Sequence, residues 1–191
     1  MGVDPDTRRL VTRLLLLGLV TVLVQVTAVS QIEIFRATAD LLPLVCAAVG
    51  LLLGSLPGAA FGFGLGLASD TASYETLGIT SLALIAVGFV SGRVRELRDP
   101  QAPATPMVAG AAATAAVIVA TGVMRFLLGM GLPVSGPLIR EMASTIVLNA
   151  LVALPVFGLV RRVLQPVLPE GPRRRRRRSY TTGGLSPLRR A

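Results

Sequence analysis

The chain has 191 residues, 52% of them hydrophobic and 15% charged, with 19 basic residues against 10 acidic ones and a formal charge of +9. That length holds one membrane domain and leaves no room for a sizeable soluble one. With no histidine, no tryptophan and one cysteine, the chain excludes histidine-based metal or acid–base chemistry and an internal disulfide, and Cys46 reads as a small buried hydrophobe.

The charges are segregated, and the mean hydropathy is +0.70. A membrane-crossing helix needs about 20 apolar residues. By that measure the spans fall at residues 10–30, 37–55, 57–73, 77–92, 107–128 and 138–160. The start of the chain also fits a secretory leader, with basic residues, an apolar run from Leu14 and the triplet Val26-Thr27-Ala28. It is read as a retained span, because cleavage leaves only five. Between the second and third spans, Gly54-Ser55-Leu56-Pro57 reads as a tight turn, with Pro57 in the first turn of the next helix, where its missing N–H costs nothing. Fusion or re-entry of these two segments gives the alternative, a five-span bundle. A proline-punctuated loop at 96–106 follows the fourth span. Residues 1–165 form the expected polytopic domain, and 166–191 an arginine-rich tail whose composition is that of disorder.

Arginine placement separates the alternatives. With the N-terminus inside, six spans put sixteen of the nineteen arginines on the cytoplasmic side and leave Arg36, Arg125 and Arg140 outside. Short-loop basic residues set orientation. Five spans place the N-terminal arginines and the tail on opposite sides, so the charges favour six, with both termini cytoplasmic.

Gly54, Gly58, Gly62 and Gly66 recur every fourth position, with Asp70 next in the same register. Residues four apart share a helix face, so a ridge without side chains runs to a carboxylate. In water each helical glycine costs about 1 kcal/mol against alanine, whereas in a bilayer such a ridge lets a neighbouring backbone approach closely. The ridge either packs within the bundle or receives a partner's transmembrane helix.

Asp70 has two readings, an anchor for the 73–76 loop or a partner contact; no second acid, histidine or paired nucleophile shares its face, which argues against catalysis. Asp40 and Glu33, near Arg36, read as an interfacial ion pair. Gln25 and Asn149, polar residues inside spans, read as interhelical hydrogen-bond formers. Arg125 is placed to snorkel, and Arg140-Glu141 reads as a boundary pair. Arg173, Arg174, Arg175, Arg176, Arg177 and Arg178 lie just beyond a span beside anionic lipid, where each arginine contributes about 1 kcal/mol; the run lacks any groove-reading element, so lipid is preferred to nucleic acid. No phosphate loop, CxxC pair, HExxH or nucleophile elbow occurs. No enzyme, cofactor or metal site is expected.

The pattern Asp40-Leu41-Leu42-Pro43, then Gly58-(3)-Gly62-Phe63-Gly64-Leu65-Gly66-Leu67-(2)-Asp70, then Leu77-Gly78 resembles the rod shape-determining protein MreD family. The matching residues are Gly58, Gly62, Phe63, Gly66, Leu67, Asp70 and Gly78. The chain departs from the family in the placement of Pro43 after Asp40 and in its long arginine tail. The resemblance implies an all-α bundle of five or six spans in the bacterial inner membrane, similar in fold to the substrate-binding components of energy-coupling-factor vitamin transporters. It also implies a role in the cell-wall elongation machinery, with MreC, MreB and the membrane peptidoglycan synthases as partners. A vitamin-transport component is the alternative function. It needs a polar, aromatic-lined pocket, and only two tyrosines are available.

Overall fold

The computed structural model describes residues 5–27, 33–34, 37–74, 76–97, 104–129 and 136–166. These form six helices: α1 (Pro5–Thr27), α2 (Leu41–Leu53), α3 (Ser55–Ala72), α4 (Ile79–Leu97), α5 (Ala104–Leu127) and α6 (Gly136–Leu164). A two-residue antiparallel pair, β1 (Glu33–Ile34) with β2 (Ala37–Thr38), lies between α1 and α2. The tail that carries Arg173 to Arg178 lies outside the described residues, as does the Arg36 partner expected for Asp40.

Contacts between helix ends show how the chain runs. The start of α1 meets the end of α6 through Arg13, whose guanidinium donates to the Val163 carbonyl at 2.9 Å. The end of α4 meets the α2–α3 turn, because the Ser55 hydroxyl donates to Glu96 at 2.7 Å. At the opposite end of the bundle, Gln25 in the last turn of α1 reaches the start of α2, and Asp70 near the end of α3 reaches the start of α4. Successive helices therefore alternate in direction. Arg8, Arg9, Arg13, Arg93, Arg95, Arg161 and Arg162 fall at the end that holds the start of α1 and the end of α6.

Among the described residues, segments Thr7–Thr27, Thr105–Leu127 and Leu138–Leu164 are long and apolar enough to cross a membrane. The second element differs from the sequence expectation. It reads as a span of 19 residues, and the helix has 13, a rise of about 20 Å against a hydrocarbon thickness of about 30 Å. The reason is its position. Every residue from Leu42 to Leu51 is buried, so α2 is the central helix and its ends are met by protein rather than by water. Two apolar clusters surround it. Leu42, Cys46 and Ala47 pack with Leu65, Leu84, Val87, Ala113 and Val117, while Val45, Ala48 and Val49 pack with Val160 and Leu164. The outer helices present bare leucine and valine, including Leu15 at 69% exposure, Val119 at 63% and Val147 at 63%. That is the surface expected of helices facing lipid.

The α2–α3 break falls where the turn residues place it. Gly54 has φ +107°, a conformation that an L side chain rarely adopts, and α3 starts at the next residue with Pro57 in its first turn.

Candidate functional site: a glycine-packed helix pair and a clamp on the central helix

Three of the ridge glycines face α4 at backbone contact. A Cβ added to Gly58 would stand 2.6 Å from the Gly88 carbonyl oxygen, and one on Gly62 would overlap the Leu84 carbonyl group. One on Gly66 would overlap the backbone of Ser81. The α4 side is equally bare, because a Cβ on Gly88 would overlap the Gly58 carbonyl and one on Gly92 the backbone at Gly54 and Ser55. Gly50 of α2 reaches the same place, with its added Cβ 2.6 Å from the Gly88 carbonyl oxygen. Gly88 and Gly92 repeat the spacing of four that marks α3, so the two bare faces match. Approach this close permits Cα–H···O contacts, worth about 0.5–1 kcal/mol each. Gly64 points elsewhere, with nothing within 4 Å of an added Cβ, and Phe63 is 48% exposed. Gly54 and Gly78 serve the backbone instead, at φ +107° and +99°.

Asp70 ends the ridge, and it is buried, with 1% of its surface exposed. The sequence offers it as an anchor for the 73–76 loop or as a partner contact; the structure has it bonded to the start of α4. Its Oδ2 accepts the Gly78 N–H at 2.7 Å, which supplies a partner to the helix start where four backbone N–H groups have none. A carboxylate there is also favoured by the helix dipole. Its Oδ1 and the Ser81 hydroxyl are buried without a hydrogen-bond partner among the described residues.

The start of α2 is held by three side chains from three elements. The Asp40 carboxylate accepts the Leu42 N–H at 3.0 Å as an N-cap. Gln25 of α1 accepts the Leu41 N–H at 2.9 Å and donates to the Ala39 carbonyl at 3.3 Å. Asn149 of α6, fully buried, accepts the Asp40 N–H at 3.0 Å and donates to the Asp40 carbonyl at 3.1 Å and the Thr114 hydroxyl at 2.9 Å. A primary amide suits this position because it donates and accepts at once. Within a membrane every backbone polar group needs an internal partner, and these amides take the place of water at the ends of a helix too short to reach it.

The other end of α2 is tied by Glu96. Its carboxylate accepts from the Ser55 hydroxyl and the Ser55 N–H, and it pairs with Arg93 at 3.3 Å. The Ser55 hydrogen bonds, followed by the Arg93 charge, hold the Glu96 carboxyl below its ordinary value. Arg93 also lies over the Phe89 ring, 5.4 Å from its centroid.

Among the described residues no group of three or more cysteine or acidic side chains is placed to hold a metal ion. Apolar helices packed through glycine, with polar side chains directed at the chain's own backbone, define an integral membrane helical bundle. The family model of the rod shape-determining protein MreD matches residues 7–164. The chain therefore belongs to the MreD family, and its class is a rod-shape-determining membrane protein. Comparison with curated proteins and with solved structures gives no match.

Proposed function

We propose that this protein is a non-enzymatic scaffold of the cell-wall elongation complex, which holds other membrane proteins in place during lateral peptidoglycan synthesis. The observation that carries the reading is where its polar side chains go. Gln25, Asp40, Asp70, Glu96 and Asn149 each bind backbone groups of the chain itself, which leaves helix surfaces as the means of contact. With α4 on the α3 ridge, the surfaces left for a partner helix are the lipid-facing sides of the outer helices, where Leu15, Val119 and Val147 stand exposed. Membership of the family supports MreC, MreB and the membrane peptidoglycan synthases as partners.

In the same reading the six helices are six spans with both termini cytoplasmic. The segregation of arginines supports this, since the basic end of the bundle becomes the inner side. The run from Arg173 to Arg178 then lies against anionic lipid and adds a salt-sensitive attachment.

The test is affinity purification of the tagged chain from its native membrane in mild detergent, with mass spectrometry of what accompanies it. Recovery of MreC, MreB or a wall synthase is the expected result. Recovery of a coupling subunit with a paired ATPase overturns the reading and makes the protein a transport component.

A further inference from the structure

Between the C-terminal ends of α1, α3 and α5 and the N-terminal ends of α2 and α4 lies a cavity of about 360 Å³. It sits at the end of the bundle opposite the start of α1. Its volume is within the range of about 300–1,000 Å³ typical of small-molecule sites. It is lined by one carboxylate, Asp40, and one guanidinium, Arg125, with the hydroxyls of Ser69, Thr80 and Thr121 among its polar groups and Val117 among its apolar ones.

The lining restricts what can enter. An apolar ligand would strip water from a carboxylate and a guanidinium and replace none of their hydrogen bonds, which is costly. A simple anion suits Arg125 and is repelled by Asp40; a simple cation meets the reverse. A dipolar ligand satisfies both through charge-assisted hydrogen bonds, the stronger kind. Asp40 caps α2 through Oδ1, and an ionised carboxylate has lone pairs beyond that one bond. Arg125 makes a contact of its own within the chain, and a guanidinium with five N–H donors retains capacity for an oxyanion. The Thr121 hydroxyl donates to the Val117 carbonyl at 2.7 Å, so toward the cavity it is an acceptor.

We infer that this cavity is a binding site for a small dipolar group carrying an ammonium and an oxyanion, the ammonium on Asp40 and the oxyanion on Arg125. Phosphoethanolamine has that chemistry, either as the head group of a membrane lipid or as a free solute.

The experiment uses the purified full-length chain in detergent. Binding of free phosphoethanolamine is followed by calorimetry, and retention of phosphatidylethanolamine by native mass spectrometry. Phosphocholine, phosphatidylcholine and inorganic phosphate serve as comparators, since they keep the phosphate and lack the N–H donors. The variants are Asp40→Asn, which preserves the N-cap because asparagine caps as well as aspartate, and Arg125→Gln. The wild-type chain binds the ethanolamine compounds at least tenfold more tightly than the comparators; Asp40→Asn loses that preference, and Arg125→Gln weakens binding of the ethanolamine compounds at least tenfold. Binding of the free compound identifies a site open to solute; retention of the lipid alone identifies one entered from the bilayer. Equal binding of ethanolamine and choline compounds, binding unaffected by both variants, or no binding by the wild-type chain overturns the proposal. None of these outcomes depends on which proteins copurify, so this inference and the scaffold reading fail separately.

Discussion

Replacing Gly62 by alanine puts one methyl group where the Leu84 carbonyl of α4 already stands, with the Cys46 sulfur, which donates to that carbonyl, 2.9 Å from the same point. The obstacle is backbone, so no rotamer change relieves it and α4 has to move as a unit. The natural control is Gly64→Ala, two residues along the same helix, where an added Cβ meets nothing within 4 Å. Both substitutions gain the same helix propensity, about 1 kcal/mol, so that contribution cancels when the two variants are compared. What remains is the overpacking at Gly62, typically about 1–3 kcal/mol. At about 2–4 °C per kcal/mol for a chain of this size, Gly62→Ala unfolds roughly 2–12 °C below Gly64→Ala. The assay is the thermal midpoint of detergent-purified protein, read from the surviving monodisperse peak in size-exclusion chromatography. Equal midpoints for the two variants would refute the argument that α3 and α4 meet backbone to backbone at this glycine.

Three further outcomes follow from the polar contacts. Asn149→Leu leaves the Asp40 N–H and carbonyl without their partners inside the bundle and lowers stability by about 2–5 kcal/mol, counting several interhelical hydrogen bonds and the desolvation of what they leave behind; a thermal midpoint within error of the wild type would contradict this. Asp70→Asn keeps an oxygen for the Gly78 N–H and stays near wild-type stability, whereas Asp70→Leu loses about 1–3 kcal/mol. If the two variants are destabilised alike, the negative charge and not the hydrogen bond is what matters. Glu96 has a depressed pKa in the folded protein; its ionised form is favoured by folding, so its contribution is present above its ordinary value of 4.5 and is lost as the pH falls below it. The drop in thermal midpoint from neutral pH to about pH 4 is therefore smaller in Glu96→Gln than in the wild type, and identical drops in both proteins would dismiss the tether.

Much of this architecture is local and legible in the amino-acid sequence. The α2–α3 break at Gly54 follows from turn chemistry within four residues, and the α3 ridge from a spacing that needs only the helical repeat. Other features join residues far apart in the chain. Asn149 is 109 positions from the Asp40 backbone it holds, and its composition-level signal was only that of a polar residue in an apolar run. Gly88 and Gly92 carry the same spacing as the α3 glycines, yet a spacing names no partner. The outward face of Phe63, in a helix packed through its glycines, was equally hidden, since α3 has small residues on several sides.

Taken alone, the amino-acid sequence determined that this is an integral membrane bundle of apolar helices, where the chain breaks between them, and which family it belongs to. Those properties depend on hydropathy, period and turn residues, all read within a window of one helix. Tertiary structure decided that α2 is the buried centre and only 13 residues long, that α4 fills the glycine ridge, and that Asp70 is covered rather than wet. In lipid the transfer of apolar surface does not choose between neighbours, because lipid tails are as apolar as leucine. Close backbone fit and the satisfaction of internal polar groups make that choice, and both are properties of the assembled bundle.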